Sequence, residues 1–397
     1  MSSKSDEIVT MYPPCADPYD LWASPGGVAI RKWYYQGDFS GKAGATALGL
    51  MDWLFPQFGR GLVGARKLEY PIVVAHWILQ IINRRLSGEE NLSYALTALR
   101  RIAAVPGVDG EWSWGIGFHW MSKNGLYGPE IPFVTHTPYV MEALLAMAKQ
   151  PVLHREAMEL FHGTWQFLES LRVMHEKEDL LALSYAPVDE PRIVVNANSY
   201  AAFAYAMHAV HGAVEIQTRA RERAKRLVRW VVRQQHADGS WLYYADGESG
   251  NFIDCFHSCF VVKNLLKVKK LLPELACEVD VATTRGARFI QDQFFDSRSG
   301  LCRRFVARAQ RDPFRWDLYD QAEFLGLLVD FGDLQRAREF AERVERRFRK
   351  GDDWYCRIDI LGRRWGRNFL RWGITPFWYH CARLDYALNF EQESRSE

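Results

Sequence analysis

The chain has no uncharged apolar run long enough to cross a bilayer, no cysteines at paired spacing and almost no net charge. Its longest apolar candidate, "YPIVVAHWILQII" from Tyr70 to Ile82, contains a histidine and falls short of the roughly 20 residues that a spanning helix needs. It reads as a buried helix. The first thirty residues carry no basic-then-apolar leader pattern. Seven cysteines, an odd number without paired spacing, point to reduced thiols and a cytoplasmic setting. With 50 basic against 48 acidic residues, the formal charge of +2 gives no overall field for nucleic acid. Basic residues cluster in Arg219–Arg233 and Arg336–Lys350, but they alternate with apolar ones at helical spacing, as solvated helix faces do. Also absent are a glycine-rich phosphate loop, a His-Glu-x-x-His zinc helix, the Gly-x-Ser-x-Gly elbow of serine hydrolases and the Asp-x-Asp-Asp run of protonating terpene cyclases. No cofactor is expected.

What the chain does have is repetition. A helical pattern from about Glu215 is stopped at "QQHADGSW", Gln234 to Trp241, by Asp-Gly turn chemistry and a tryptophan. Similar endings recur at "VDGEWSWG" (Val108–Gly115), "DSRSGLCRRF" (Asp296–Phe305) and "KGDDWYCR" (Lys350–Arg357), with a weaker one at "KEDLLALSY" (Lys177–Tyr185). Charged, one-striped helices precede these endings, and helices apolar nearly all round follow them. The apolar set is Pro71–Arg85, Pro138–Lys149, Asn198–Val210, Ile253–Lys270, Leu318–Phe331 and Thr375–Leu388. Alternation of this kind predicts an outer and an inner ring. The expected fold is all-α, an (α/α)6 toroid of six helical hairpins with short β-like turns at the cavity mouth. It should occupy 65–390, with 1–64 as an irregular arm and 391–397 as a disordered tail.

Two resemblances follow from these motifs. Gln-x-x-x-Asp-Gly-Ser-Trp in Gln234–Trp241 resembles the Q-W type repeat of terpenoid-cyclase and prenyltransferase toroids. "IPFVTHTPYVMEALL" and "NFIDCFHSCFVVKNLLK" resemble toroid proteins encoded with bacterial polysaccharide-biosynthesis enzymes, over about Trp112 to Leu388. The second resemblance implies a carbohydrate context and few catalytic assignments.

In such a ring the segments leading into the inner helices gather at one mouth. They carry His136 and Tyr139; Asn196, Asn198 and Tyr200; Asp254 and His257; Asp317, Tyr319, Asp320 and Glu323; and Arg371 and Trp372. Asn196, Asn198 and Asp254 could equally be helix caps. His257, three residues after Asp254, shares its helix face, and a carboxylate-oriented histidine suits acid or base work. The expected catalytic set is His136, Tyr139, Asn198, Tyr200, Asp254, His257, Tyr319, Asp320 and Glu323. Substrate contacts are expected from Trp114, His119, Trp120, Asn196, Arg303, Arg304, Trp316, Asp317, Arg371 and Trp372, with aromatic rings against sugar faces and arginines on an acid group. Trp112, Trp241 and Trp354 are expected to fasten neighbouring hairpins instead. Asp254, Cys255, His257 and Cys259 cannot all close on one ion from a helix, which leaves only a mixed site of His257 with Cys302 or Cys356; no metal is expected.

The function these features suggest is acid–base chemistry on an acidic sugar chain or sugar-lipid: uronate epimerisation, β-elimination, or hydrolysis by Asp254 paired with Asp320 or Glu323. The alternatives are a non-catalytic glycan-binding or scaffold subunit and an isoprenoid-processing enzyme. The stretch "LGLMDWLFPQFG", Leu48 to Gly59, could rest on a membrane surface or pack under the main domain.

Overall fold

The structure is a computed structural model in which residues 12–86, 89–107, 110–306 and 313–396 are described. The first eleven residues of the expected arm, and Val108 and Asp109 of the first turn, lie outside the described residues. Six inner helices form a ring: Pro71–Asn83, Thr137–Met147, Val195–His211, Cys255–Leu271, Leu318–Asp330 and Thr375–Ser396. Each packs on the next, and the last packs back on the first, so the ring is closed. Five outer helices, Glu89–Arg101, His154–Ser170, Val214–Arg233, Ala276–Phe294 and Leu334–Phe348, each lie against the inner helix that precedes them. The hairpin count is therefore six inner helices with five outer ones among the described residues.

Sequence pattern accounts for the two layers. Val195–His211 is buried without interruption from Val195 to Ala209. Leu334–Phe348 buries only Leu334, Ala337, Phe340, Val344 and Phe348, a single stripe at helical spacing. Proline at the first turn starts Pro71–Asn83 and Thr137–Met147, where its missing N–H costs nothing. Asp254 and Asp317 cap the helices after them by accepting from the amides of His257 and Tyr319.

Short antiparallel pairs follow four of the outer helices, as Val105–Pro106 with Trp112–Ser113, Val173–Lys177 with Leu180–Leu183, Phe295–Asp296 with Leu301–Cys302, and Arg349–Lys350 with Asp353–Asp359. The segment Trp241–Tyr244 is not a strand; only Tyr244 makes a single bridge, to Val194. Its tryptophan has a different job. Trp241 Nε1 donates to Val231 O at 2.9 Å, and its ring fills the space over Gly286 of the next outer helix, where a Cβ would stand 2.6 Å from it. Gln235 adds a bond from Nε2 to Ala282 O on that helix at 2.9 Å. Trp112 lies in the same way against Gly163 of His154–Ser170, and Trp354 packs tilted against Phe377 and edge-on against Trp378 of the last inner helix. All three fasten one hairpin to the next.

Both ends of the chain differ from expectation. The N-terminal arm is helical rather than irregular, with Pro25–Tyr35 and Phe39–Leu54 packed as a hairpin and Pro56–Leu62 after them. Pro25 and Pro56 sit in the first turn of a helix, which they do not break, and Gly44 and Gly49 are carried inside Phe39–Leu54. The last helix continues to Ser396 instead of ending near 390.

Candidate active site

The N-terminal ends of the inner helices surround a cavity of about 440 Å³, within the range of small-molecule sites. Every inner helix or its lead-in reaches the wall: Ile72 from the first, His136 and Tyr139 from the second, Asn196 and Tyr200 from the third, Asp254, Phe256 and His257 from the fourth, Tyr319 from the fifth, and Arg371 with Trp372 from the sixth. The sixth lead-in kinks at Trp372–Gly373, where Gly373 takes φ +85°. A Cβ on Gly373 would lie 2.5 Å from Tyr319 N, so only glycine lets this strand of backbone approach and aim Trp372 inward.

Asp254 and His257 form the most directed pair. His257 Nδ1 lies 2.8 Å from both carboxylate oxygens of Asp254, which is buried while His257 is partly open to the cavity. Asp254 also accepts from His257 N at 3.2 Å. One residue thus caps the helix, fixes the ring and sets its tautomer, leaving Nε2 for a ligand. His136, on the second lead-in, is pushed down to about 3 by burial and then by the Arg371 charge, so it is neutral at neutral pH.

The floor is phenolic. Tyr139 and Tyr200 share a hydroxyl hydrogen bond of 2.6 Å, and burial holds both, with Tyr319, well above the ordinary tyrosine range. They remain protonated donors. Charge on the wall is mainly positive, from Arg31, Lys123, Arg304 and Arg371 against Asp254 alone. Arg371 is held by a bidentate pair with Asp17 at 2.6 and 2.8 Å. Arg304 donates to Asp317 at 2.7 Å, while its Nε is buried without a partner. Asn196 Oδ1 is likewise buried and unpartnered at the cavity wall. Trp120 lies under the Arg31 guanidinium at 3.9 Å.

Several expected residues stand behind the wall rather than on it. Asn198 is consumed by the backbone of Leu183, accepting from its N–H at 2.7 Å and donating to its carbonyl at 3.2 Å. Asp317 is a structural knot that accepts from Arg304, Arg357, Trp372 Nε1 and Tyr319 N. Asp320 accepts from Phe256 N at 3.1 Å; burial, then the Asp317 charge, push its carboxyl well above the usual range. Glu323 lies deeper on the ring axis, 2.7 Å from Lys263 Nζ and 3.8 Å from His380 Nε2. Burial works to raise its carboxyl, but Lys263 and His380 outweigh it and bring the group down to about 2.

Trp114 is fully buried, with Nε1 on Leu99 O at 2.8 Å. Trp316 lies in the strand Phe314–Asp317 beneath the Arg315 guanidinium. Arg303 is exposed and paired with Asp296, and His119 is exposed; neither lines the cavity. Cys302 lies against Cys255 in the interior, and Cys356 donates to Trp365 O, so neither shares a site with His257. Among the described residues no group of three or more His, Cys, Asp or Glu is placed to hold a metal ion.

The cavity also draws on Tyr19, Arg31, Tyr35 and Tyr185, which sequence reasoning did not select. Tyr185 closes the weak ending "KEDLLALSY", and Thr135 donates to its hydroxyl at 2.7 Å. Arg31 and Tyr35, one helical turn apart, bond at 3.2 Å. Their spacing is visible in sequence, but nothing local says that this hairpin folds over the ring.

No protein-family model matches the chain, and no curated protein matches it either. Solved structures do. A D-mannose isomerase superposes with a TM-score of 0.58 at 14% identity, covering 81% of this chain and 87% of its own. Cellobiose 2-epimerase from Bacillus thermoamylovorans gives 0.58 at 12%, covering 81% and 88%. The GH76 α-mannanase of Bacteroides thetaiotaomicron gives 0.56 at 10%, covering 82% and 88%. At these identities the likeness is one of architecture: over four fifths of its length the chain has the (α/α)6 toroid fold seen in these sugar isomerases, epimerases and hydrolases.

Proposed function

We propose that the chain is a carbohydrate-active enzyme that moves a proton on a sugar, as an epimerase or lyase of acidic sugars. The observation that carries this is the Asp254–His257 pair facing a cavity whose other ionised groups are mostly cationic. His257 Nε2 takes the proton from the carbon next to a carboxylate or carbonyl. A wall tyrosine then gives a proton to the opposite face of that carbon in epimerisation, or to the oxygen that departs as the C–O bond breaks in elimination, and is reprotonated from His257 through solvent. Arg371 and Arg304 neutralise the acid group, and the protonated Tyr139, Tyr200 and Tyr319 donate to the oxygen on which charge develops. Trp120 and Trp372 offer flat faces to the sugar ring. The volume suits one or two sugar units, which favours a chain end or a short glycan over the middle of a long polymer.

Hydrolysis by paired carboxylates draws little support, since Asp320 and Glu323 do not reach the cavity and Asp254 is engaged by His257. The structural neighbours include an isomerase, an epimerase and a hydrolase, so they support sugar chemistry without favouring either reaction. The many aromatic rings of the wall favour an isoprenoid reading, and Arg304, Arg371, Asp254 and Asn196 in the same wall count against it. Seven unpaired cysteines support a reducing compartment.

The test is incubation with acidic and neutral mono- and oligosaccharides in heavy water. Deuterium at a single carbon without cleavage is expected for epimerisation, and new ultraviolet absorbance for elimination. Cleavage without deuterium gain or absorbance would overturn proton abstraction, and inertness across the panel would favour a glycan-binding subunit.

A further inference from the structure

Helix Phe39–Leu54 has its polarity reversed. Of its sixteen residues only Lys42 and Asp52 are charged, and Asp52 is buried against Arg60 at 2.7 Å. Phe39, Ala43, Ala47, Leu50 and Leu54 recur at helical spacing along one face, and that face is exposed. Phe55, Phe58 and Leu62 continue it onto the next helix; Phe39 is 86%, Phe58 67% and Leu62 68% exposed. Trp53 Nε1 donates to Asp359 at 3.0 Å, which ties this face to the strand turn where Ile360 and Leu361 are also exposed. Trp33 and Tyr34 of the partner helix are exposed as well. Isolated apolar residues on a surface need no explanation, but a continuous stripe from several elements marks an interaction face.

The charges around it have one sign. Across 25–67 and 360–364 the exposed charged residues are Lys32, Lys42, Arg66, Lys67, Arg363 and Arg364, against Asp38 alone. Apolar and aromatic side chains with a basic surround form the chemistry that rests in the interface of an anionic bilayer. No helix among the described residues is long and apolar enough to cross one, which leaves a helix lying on the surface. The same hairpin also supplies Arg31 and Tyr35 to the cavity wall, so its outer face adjoins the mouth.

We propose that the Pro25–Leu62 face docks on an anionic membrane surface. Docking would bring the mouth to sugars held on that membrane; this second step rests on the acid–base reading above, whereas the docking does not. The experiment is flotation of the full chain with vesicles of phosphatidylcholine alone or with about a third phosphatidylglycerol. The expected result is binding to the anionic vesicles, weakened by salt, and reduced at least about tenfold by Phe58→Asp or Leu62→Asp. Val281→Asp, at an exposed apolar position on an outer helix, leaves binding unchanged. Leu361→Asp, on a separate turn of the same face, gives a second reading should either helix variant fail to fold by circular dichroism. Absence of binding to both vesicle types, or binding equal to that of the wild type by folded Leu361→Asp and Leu62→Asp variants, overturns the proposal. So does a wild-type dimer that Leu62→Asp dissociates without any vesicle binding, which would assign the face to a second copy. Flotation needs no turnover, so its failure is separate from failure of the sugar panel.

Discussion

Two ionisable clusters lie in the ring, each setting a carboxylate beside a histidine, and they are put to opposite uses. At the mouth, buried Asp254 orients a histidine that keeps one nitrogen toward a cavity. Deeper in, Glu323, Lys263 and His380 are each no more than 2% exposed, and Lys263 also donates to the Tyr139 hydroxyl at 3.0 Å. An acid beside a base is therefore not by itself a catalytic sign; what separates the two is whether a proton acceptor still faces an opening. The deep cluster is the less favourable to build, since two charges removed from water are repaid only when each stays paired.

The largest expected effect falls on the mouth. His257→Ala lowers turnover of whichever sugar reacts by about two to four orders of magnitude while leaving the denaturant midpoint nearly unmoved. Equal loss of rate and stability would erase the distinction between the clusters. Lys263→Met does the reverse, costing about 3–5 kcal/mol of stability because Glu323 is left buried without its partner. The double variant Lys263→Met/Glu323→Leu recovers most of that loss, as chemical denaturation would register.

The smallest effect is in the response to acid. His136 and His380 have folded pKa values lowered to about 3 and 4, so the unfolded chain takes up their protons first, and stability falls as pH drops below about 6.5. Glu323, lowered to about 2, adds stability that is whole above about 4.5 and lost as pH falls toward 2. Melting temperature is expected to decline by a few degrees between pH 6.5 and 4, and Glu323→Gln to remove the further decline below 4.5. Identical acid limbs for the wild type and Glu323→Gln would mean that the deep cluster is hydrated.

Much of the architecture was legible because each layer writes its own period. Apolar residues all round mark an inner helix such as Val195–His211, and a single stripe marks an outer one such as Leu334–Phe348. Gathering of the lead-ins at one mouth follows from closure, and it brought His136, Tyr139, Tyr200, His257, Tyr319 and Arg371 together. Side-chain direction was not legible. Asn198 follows Asn196 by two residues, yet faces the backbone of Leu183 while Asn196 faces the cavity. Asp320 follows Tyr319 directly and Glu323 lies one helical turn further on, but their partners are Phe256 and Lys263, residues distant in sequence. The arm was misjudged for the same reason, since its fold depends on what lies beneath it, as the Asp17–Arg371 pair shows.

Contact between Thr375–Ser396 and Pro71–Asn83 leaves no end unit in this assembly. An open row of repeats loosens from its extremities, one unit at a time, at less than the full free energy of the molecule. Here the first and last inner helices shield each other like stones of an arch, so the cavity wall holds until the whole ring gives way, and a site drawn from six distant segments has no weakest edge from which to drift.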